Sequence, residues 1–267
     1  MKAVDIENRF AFASRLIEEA AELAFGYFNR LGSLTILSKG VQDMASEADL
    51  NTELLIRDRL KAAFPEDAFF GEETGRAEVE GAAGLWVVDP IDGTQPFVSG
   101  MSAWCVSIAF VADGRLEMGF VASPARRETF VGRPGRGSTL NGEPIQVRPA
   151  SKLTDGIVGV GYSPRVKPDE FLPMFGRLLH AGAMFYREGS GALTLCSVAA
   201  GRLIGYVEPH INAYDCLGAL AVIDGAGGKI NDFLAGDGLW KGNRVIAGSA
   251  EIYPALERLF DEREGSG

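Results

Sequence analysis

The run Leu85-Trp86-Val87-Val88-Asp89-Pro90-Ile91-Asp92-Gly93-Thr94 drives an apolar segment straight into two carboxylates, a glycine and a threonine. Val and Trp favour a strand, and Pro90, which fixes φ and withholds a ladder donor, is expected to end it. Asp89 and Asp92 then fall at the open end of a sheet, where α/β proteins place their ligands. Carboxylates crowded there repel one another, so a doubly charged hard cation is their natural neutraliser. Gly93 and Thr94 can begin a helix, whose free N–H groups and positive dipole end favour a phosphate. A cation site beside an anion site points to phosphate chemistry.

Other acids extend the pattern. Glu72 closes a second expected strand, Ala68-Phe69-Phe70, and would bring a third carboxylate to the same edge. One acid after a strand is ordinarily a turn or cap, and Asp92-Gly93 is an ordinary turn pair. Three converging acids are costly without a cation, and convergence favours metal. Asn212-Ala213-Tyr214-Asp215 reads as an N-cap followed by an acid in the first helical turn, and Ser46-Glu47-Ala48-Asp49 has the same form. Local pattern therefore leaves capping and chemistry both open at Asp215 and Asp49.

The elements that must position these residues follow from periodicity. Ile6, Phe10, Ala13, Leu16, Ile17, Ala20, Ala24 and Phe28 recur at helical spacing, predicting a long amphipathic helix over 5–30, and a second helix spans Glu47 to Phe64, closed by Pro65. Strands are expected at Leu85–Val88, Trp104–Val111, Leu116–Ala122 and Thr129–Val131, with hairpin turns at Asp113-Gly114 and Asn141-Gly142. That gives a first half of two helices and a largely antiparallel sheet. Beyond Pro149 the order becomes strand (157–161), helix (168–180), strand (184–186), helix (192–200) and strand (203–207). A helix over 213–226, a strand over 245–247 and a helix over 250–260 complete an α/β half.

The 267 residues are 46% apolar, enough for a substantial core, and carry a net charge of −10 with basic residues scattered singly. Such a surface has no footprint for nucleic acid or an anionic membrane, and no apolar run approaches the roughly 20 residues of a bilayer span. Acidity suits a phosphate substrate only if bound Mg²⁺ inverts the local field. Acidic residues near the N-terminus argue against a secretory signal, so a cytoplasmic location is expected. Cys105, Cys196 and Cys216 sit in apolar sequence and read as buried free thiols. Two histidines and no Cys-x-x-Cys pair argue against zinc.

Asp89 to Thr94 resembles the Asp-Pro-Ile-Asp-Gly-Thr signature of the inositol monophosphatase family, lithium-sensitive, Mg²⁺-dependent phosphatases of the sugar and polyol phosphatase superfamily. Phe70-Gly71-Glu72-Glu73-Thr74 resembles the family's Gly-Glu-Glu segment, and Tyr214-Asp215 with Gly225-Ala226-Gly227-Gly228 its Trp-Asp…Glu-Ala-Gly-Gly segment. Lys39 and Ser46-Glu47-Ala48-Asp49 fit its N-terminal Lys and Thr-x-Ala-Asp positions, and Gly189-Ser190-Gly191-Ala192 its Gly-Thr/Ser-Ala-Ala loop. The pieces occur in family order across most of the chain. The resemblance implies an α+β and α/β combination, a layered αβαβα sandwich like that of the inositol monophosphatase and fructose bisphosphatase fold. In it residues 1–149 would carry most metal ligands and 150–267 would complete the site, as one compact unit.

It also implies roles. Glu72, Asp89 and the Ile91 carbonyl would hold one Mg²⁺, and Asp89, Asp92 and Asp215 the next, with two or three ions in all. Thr94, Glu72 and Asp49 would orient the nucleophilic water, the N–H groups of Gly93 and Thr94 would bind phosphate, and Ser190, Gly191 and Glu208 would face the substrate. A small phosphorylated substrate and a homodimer are implied as well. The chain departs from the family's Thr-Thr-Asn-Phe-Val-His at Thr94-Gln95-Pro96-Phe97-Val98-Ser99. Phe97, Gly100 and Trp104 also resemble the family's histidinol-phosphate phosphatases. Glu208, seven residues before Asp215, suits a ring hydroxyl in one case and an amine in the other. The expected function is hydrolysis of an inositol-phosphate-like polyol monophosphate. The alternatives are histidinol-phosphate phosphatase, then nucleotide 3′-phosphatase or fructose bisphosphatase, and a phosphatase-like binding protein. Arg165 and Arg187 are expected to make surface ion pairs.

Overall fold

The structure, a computed structural model, describes residues 5–33, 36–40, 43–78 and 80–261, with 33, 36–40 and 43–46 as backbone only. The expected loose tail Glu262 to Gly267 lies outside the described residues. Helix α1 (Ile6–Phe28) starts at Asp5, whose carboxylate accepts from the Asn8 N–H, and buries the stripe Ala13, Leu16, Ile17, Ala20, Ala21 and Ala24. A two-stranded ribbon, β1 (Ile36–Gly40) and β2 (Asp43–Ser46), leads into α2 (Glu47–Ala63).

The first sheet follows in chain order: β3 (Ala68–Gly71), β4 (Gly75–Ala77) and β5 (Leu85–Asp92), the short helix α3 (Thr94–Val98), then β6 (Cys105–Ala112), β7 (Arg115–Ser123), β8 (Glu128–Arg133), β9 (Gly137–Leu140) and β10 (Glu143–Pro144). Its order is β10-β9-β8-β7-β6-β5-β3-β4, antiparallel throughout except for the β3/β5 pair. The two hairpin turns expected from sequence are present, with φ of 49° and 70° at Asp113-Gly114 and of 51° and 83° at Asn141-Gly142.

The second sheet comes from β11 (Ile157–Val160), β12 (Met184–Tyr186), β13 (Gly205–Ile211), β14 (Lys229–Ile230) and β15 (Asn243–Gly248) in the order β12-β11-β13-β15-β14. The first three are parallel, and β15 and β14 add antiparallel, making the sheet mixed. Between and beside them run α4 (Pro168–His180), α5 (Gly191–Ala199), α6 (Ala213–Gly225), α7 (Gly238–Lys241) and α8 (Tyr253–Glu257). The helix expected over 250–260 is shorter because Pro254 sits in its first turn, and a 3₁₀ turn carries on to Phe260.

Three buried clusters define five layers. One joins α1 and α2 to one face of the first sheet, through Trp86, Val88, Ile108 and Phe120. A second sets α5 and α6 between the two sheets, touching Val87, Cys105 and Val121 on one side and Tyr206, Val245 and Ala247 on the other. The third places α4 and α8 against the outer face of the second sheet. The αβαβα sandwich implied by the sequence is the observed architecture. At its outer edge the buried Arg9 of α1 forms a two-pronged pair with Asp67, at 2.8 and 2.7 Å, and Trp86 Nε1 donates to the same carboxylate.

Two local devices set the site. Pro90 does not end β5: the strand runs on to Asp92 through a bulge, because Asp89 pairs with Ser107 and Asp92 with Cys105, so two residues oppose only Val106. A proline is tolerated there because the bulge asks for no ladder donor. Strand side chains alternate, so positions three apart normally face opposite ways; the extra residue turns Asp89 and Asp92 to the same α5/α6 face. The second device is close approach. A Cβ on Gly119 of β7 would lie 2.0 Å from the Gly218 carbonyl oxygen, so only glycine lets α6 lie this near the sheet. The N-terminus of α6, carrying Asp215, is thereby brought beside the end of β5.

Candidate active site

Asp89 is fully buried at the bulge. Its Oδ1 accepts from the Ile91 N–H at 2.9 Å, while its Oδ2 is buried with no hydrogen-bond partner. Such an orphan is rare and marks a site for something other than protein. Glu72 lies in the turn after β3, where its N–H continues the pairing onto the Val88 carbonyl at 3.2 Å. Asp215 stands in the first turn of α6 and accepts from the Asn212 N–H at 3.3 Å, so the capping box read from sequence is real. Its carboxylate also faces the acids: oxygens of Glu72, Asp89 and Asp215 all lie within 4.8 Å of one another, the one such group among the described residues. Capping and chemistry, left open by the sequence, are thus compatible at Asp215.

Burial pushes the Asp89 carboxyl well above its ordinary range, and the charges of Glu72, Asp92 and Asp215 add to this. Burial likewise raises Asp215, offset by its contact with Asp89 and by the charge of Arg165. Three carboxyl groups held this close, two of them half-buried at the cleft wall, suit a hard divalent cation, which would satisfy the orphan oxygen and remove the repulsion.

Asp92 stands apart from that trio. Its Oδ2 accepts from Ser190 Oγ at 2.5 Å and Ala192 N–H at 2.7 Å, and its Oδ1 from Gly191 N–H at 3.3 Å. The carboxylate therefore ties β5 to the N-terminus of α5, where negative charge is favourable. Burial, with the charge of Asp215, still pushes it up to about 7 against those donors. Ser190 and Gly191, expected at the substrate, both spend a donor on Asp92, and Ser190 also caps α5 by accepting from Leu193 N–H at 3.2 Å. Each remains on the cleft wall.

Gly93, at φ 94°, precedes α3, and a Cβ there would sit 2.6 Å from the Ala103 carbonyl oxygen, so the turn demands glycine. The helix expected after it is five residues long, so what it offers an anion is its first free N–H groups more than a dipole. Thr94 Oγ1 lies 3.1 Å from the Ile91 carbonyl and 3.3 Å from Asp49 Oδ1, joining α3 to the buried first turn of α2. Lys39 and Ser46 give backbone to β1 and β2, and their side chains lie outside the described residues. In place of the family's Thr-Asn, Gln95 is exposed and Pro96 is buried beneath Gly189.

Glu208 is buried in the middle of β13 and accepts from the Tyr206 hydroxyl at 2.5 Å. Burial pushes it up to about 8, with Tyr206 pulling down and Asp215 and Asp92 pushing further up. An open cleft of about 710 Å³ is lined by Glu72, Asp92, Thr94, Ser190, Glu208 and Asp215, drawing on both sheets. Arg165 and Arg187 line it as well, and contrary to expectation neither is in an ion pair among the described residues. The cysteines are buried and free, as the sequence suggested. No helix among the described residues is long and apolar enough to cross a membrane.

Glu53 was missed by sequence reasoning. It is fully buried on α2, and its carboxylate accepts from the Glu73 N–H at 2.8 Å and the Thr74 N–H at 2.6 Å, gripping the turn that carries Glu72. A signal existed: Asp49, Thr52, Glu53, Ile56 and Leu60 form the buried stripe of α2, and an acid on an apolar stripe needs a reason.

The layered sandwich with acids gathered at one cleft is the fold of solved inositol monophosphatases. Within it, a family model described as the inositol monophosphatase family matches residues 5–264, and the chain belongs to that family. Relatives include Nus factor SuhB of Pseudomonas aeruginosa, 34% identical over 250 residues that cover 91% of this chain and 92% of that protein. Inositol-1-monophosphatase of Mesorhizobium japonicum is 33% identical over 231 residues, covering 86% and 87%. Among solved structures, the extragenic suppressor protein suhB from Bartonella henselae superposes with a TM-score of 0.88 at 27% identity, covering 95% of this chain and 98% of that one. The inositol monophosphatase from Anabaena gives 0.82 at 27% identity, covering 96% of each.

Proposed function

We propose that this chain is a Mg²⁺-dependent phosphomonoesterase that hydrolyses an inositol-phosphate-like polyol phosphate by attack of water. The observation that carries the reading is the trio Glu72, Asp89 and Asp215 around the orphaned Asp89 oxygen. Those three, with Asp92 and the Ile91 carbonyl, would hold two or three ions. Bound there, Mg²⁺ supplies positive charge toward the phosphate and leaving oxygens and acidifies water. The protein's own part is positional. Thr94 would donate a hydrogen bond to Asp49 or to the Ile91 carbonyl, which leaves its lone pairs to accept a hydrogen bond from the attacking water. Asp49, buried behind it, is the base that this arrangement orients. Free N–H groups of Gly93 and Thr94 would bind the phosphate, and Ser190 and Gly191 would keep Asp92 aimed. Lining contributed by both 72–101 and 160–215 supports a site that residues 1–149 and 150–267 build together as one unit.

Glu208 favours a polyol over an amine. A carboxyl raised to about 8 is largely neutral at pH 7 and suits hydroxyl partners better than an ammonium. Histidinol phosphate is therefore the second substrate reading. Relatives named Nus factor suggest a binding role, but an acid set assembled around an unsatisfied oxygen is better explained by catalysis. Exposed Leu172 and Leu179 of α4 and Met184 and Phe185 of the edge strand β12 offer a face for the homodimer. Acidic surface and reduced thiols suit the cytoplasm. The test is phosphate release from inositol 1-phosphate, histidinol phosphate, fructose 1,6-bisphosphate and adenosine 3′,5′-bisphosphate, with and without Mg²⁺. Highest kcat/KM on inositol phosphate is expected among the monophosphates, and no Mg²⁺-dependent release from any ester would refute the reading.

A further inference from the structure

Of the three tryptophans, Trp86 and Trp104 are fully buried and Trp240 is exposed. Trp240 is nonetheless engaged. The Arg76 guanidinium lies 3.7 Å from its ring centroid, and the Phe70 ring packs against it at 5.4 Å. Phe70 in turn meets Tyr214 edge-on at 5.7 Å. Phe70 and Arg76 are register partners across β3 and β4, so they share one face of the sheet, where Phe70 packs on the α5/α6 cluster. Glu72 follows Phe70 by two along backbone that still pairs with β5, which puts its carboxylate on that same face. Tyr214 precedes Asp215, and its hydroxyl accepts from Nδ2 of Asn212, the N-cap of α6, at 2.8 Å. The row Trp240, Phe70, Tyr214 therefore joins the two elements that bring Glu72 and Asp215 to the acid trio.

The outer end of the row is fixed by α7. Its Lys241 carbonyl bonds His210 Nε2, near the end of β13, at 2.7 Å. A Cβ on Gly238 would lie 1.9 Å from the Phe233 carbonyl oxygen, so α7 is packed too closely to slide. Aromatic pairs keep preferred separations of about 4.5–7 Å, and a stacked guanidinium strengthens them. The row thus acts as a spacer of set width. Width decides which ion fits: Mg²⁺ demands near-ideal octahedral oxygens at about 2.0–2.1 Å, whereas Ca²⁺ takes about 2.3–2.6 Å in flexible geometry.

We propose that Trp240 is a positioning residue, which through Phe70 and Tyr214 sets the separation of Glu72 and Asp215 and makes the site prefer a small divalent cation to a larger one. The inference rests on the metal reading of the trio and adds what selects the ion. Thermal melts of the full chain across separate Mg²⁺ and Ca²⁺ series give a midpoint of stabilisation for each. In Trp240→Ala the Mg²⁺ midpoint should rise by about tenfold, the scale on which loss of a support behind a metal ligand is felt. The Ca²⁺ midpoint should stay within about twofold, because that ion tolerates a looser site. Trp240→Phe puts a ring back against Phe70 and should hold the ratio of the two midpoints near the wild-type value. Arg76→Gln, which leaves all three rings in place, should move it part of the way. If Trp240→Ala does not melt cooperatively, Trp240→Leu keeps apolar cover over Phe70 and carries the same comparison with the same expected direction. An unchanged ratio in the folded variant, or equal rises for both ions, would overturn the proposal, the latter because it marks general loosening. Wild-type melts that respond to neither ion would refute the metal reading itself and the proposal with it, a result visible before any variant is made.

Discussion

Replacing Glu53 by Gln tests whether the turn carrying Glu72 is held from beneath. The change keeps the shape, which matters because the site of a Cβ on Gly71 is already 2.4 Å from Glu53 Cδ. It alters the bonding. Glu53 offers one carboxylate oxygen to the Glu73 N–H and the other to the Thr74 N–H. A glutamine can accept only one of these and sets its own NH₂ against the other, so one charge-assisted bond is lost and one N–H is mispaired. A buried donor in that position costs about 1–3 kcal/mol; water reaches this part-buried turn, so about 2 kcal/mol is expected. For a chain of this size that corresponds to a Tm lower by about 4–8 °C. Because the loosened turn carries Glu72, the Mg²⁺ concentration for half-maximal stabilisation should rise on the order of tenfold. Thermal melts of both proteins across a Mg²⁺ series measure both effects. A variant that melts within about 1 °C of wild type and has the same Mg²⁺ midpoint would refute the argument.

Other outcomes follow from the same geometry. Metal-free protein should lose stability as pH rises from about 4 to about 8: Asp92 and Glu208, at about 7 and about 8, hold protons that the unfolded chain has released, as do Asp89 and Asp215. Saturating Mg²⁺ should raise Tm, more at pH 8 than at pH 5, because ligands must deprotonate to bind, and melts that ignore Mg²⁺ at every pH would count against the site. Glu208→Gln should cost on the order of 1 kcal/mol in kcat/KM on inositol phosphate, one neutral hydrogen-bonding group replacing another; a much larger loss on histidinol phosphate than on inositol phosphate would mean that Glu208 is an ionised partner of an amine and would refute the polyol reading. Li⁺ should inhibit turnover in competition with Mg²⁺, and inhibition unaffected by Mg²⁺ would mean that it acts elsewhere.

What could be read from the sequence was what local physics decides. The long helices, the strands of the first sheet and both hairpin turns follow from periodicity and from Asp-Gly and Asn-Gly pairs at positive φ. Less visible was what depends on partners distant in the chain. Pro90 looked like a strand end because nothing nearby in sequence reveals that Val106 stands alone opposite Pro90 and Ile91. Short strands such as β4, β10 and β14 exist by pairing, and two- or three-residue segments carry no periodic signal. Of the three acids expected to converge, Glu72 and Asp89 do so with Asp215, which only the resemblance had placed there, whereas the engagement of Asp92 with the N-terminus of α5 spans about 100 residues and had no local signature. Arg165 and Arg187 read as surface arginines because sequence shows composition and not the shape of a cleft.

The central claim, that a metal-dependent phosphatase centre is organised on Asp89, is tested most directly by Asp89→Asn assayed on inositol 1-phosphate in saturating Mg²⁺. Asparagine keeps the shape and the acceptor for the Ile91 N–H but removes the charge shared with Glu72 and Asp215. The expected result is a folded protein, verified by its melt, with turnover reduced by at least about a thousandfold, the scale on which loss of one member of a concerted catalytic set is felt. Turnover near the wild-type rate in a folded Asp89→Asn protein would contradict the assignment.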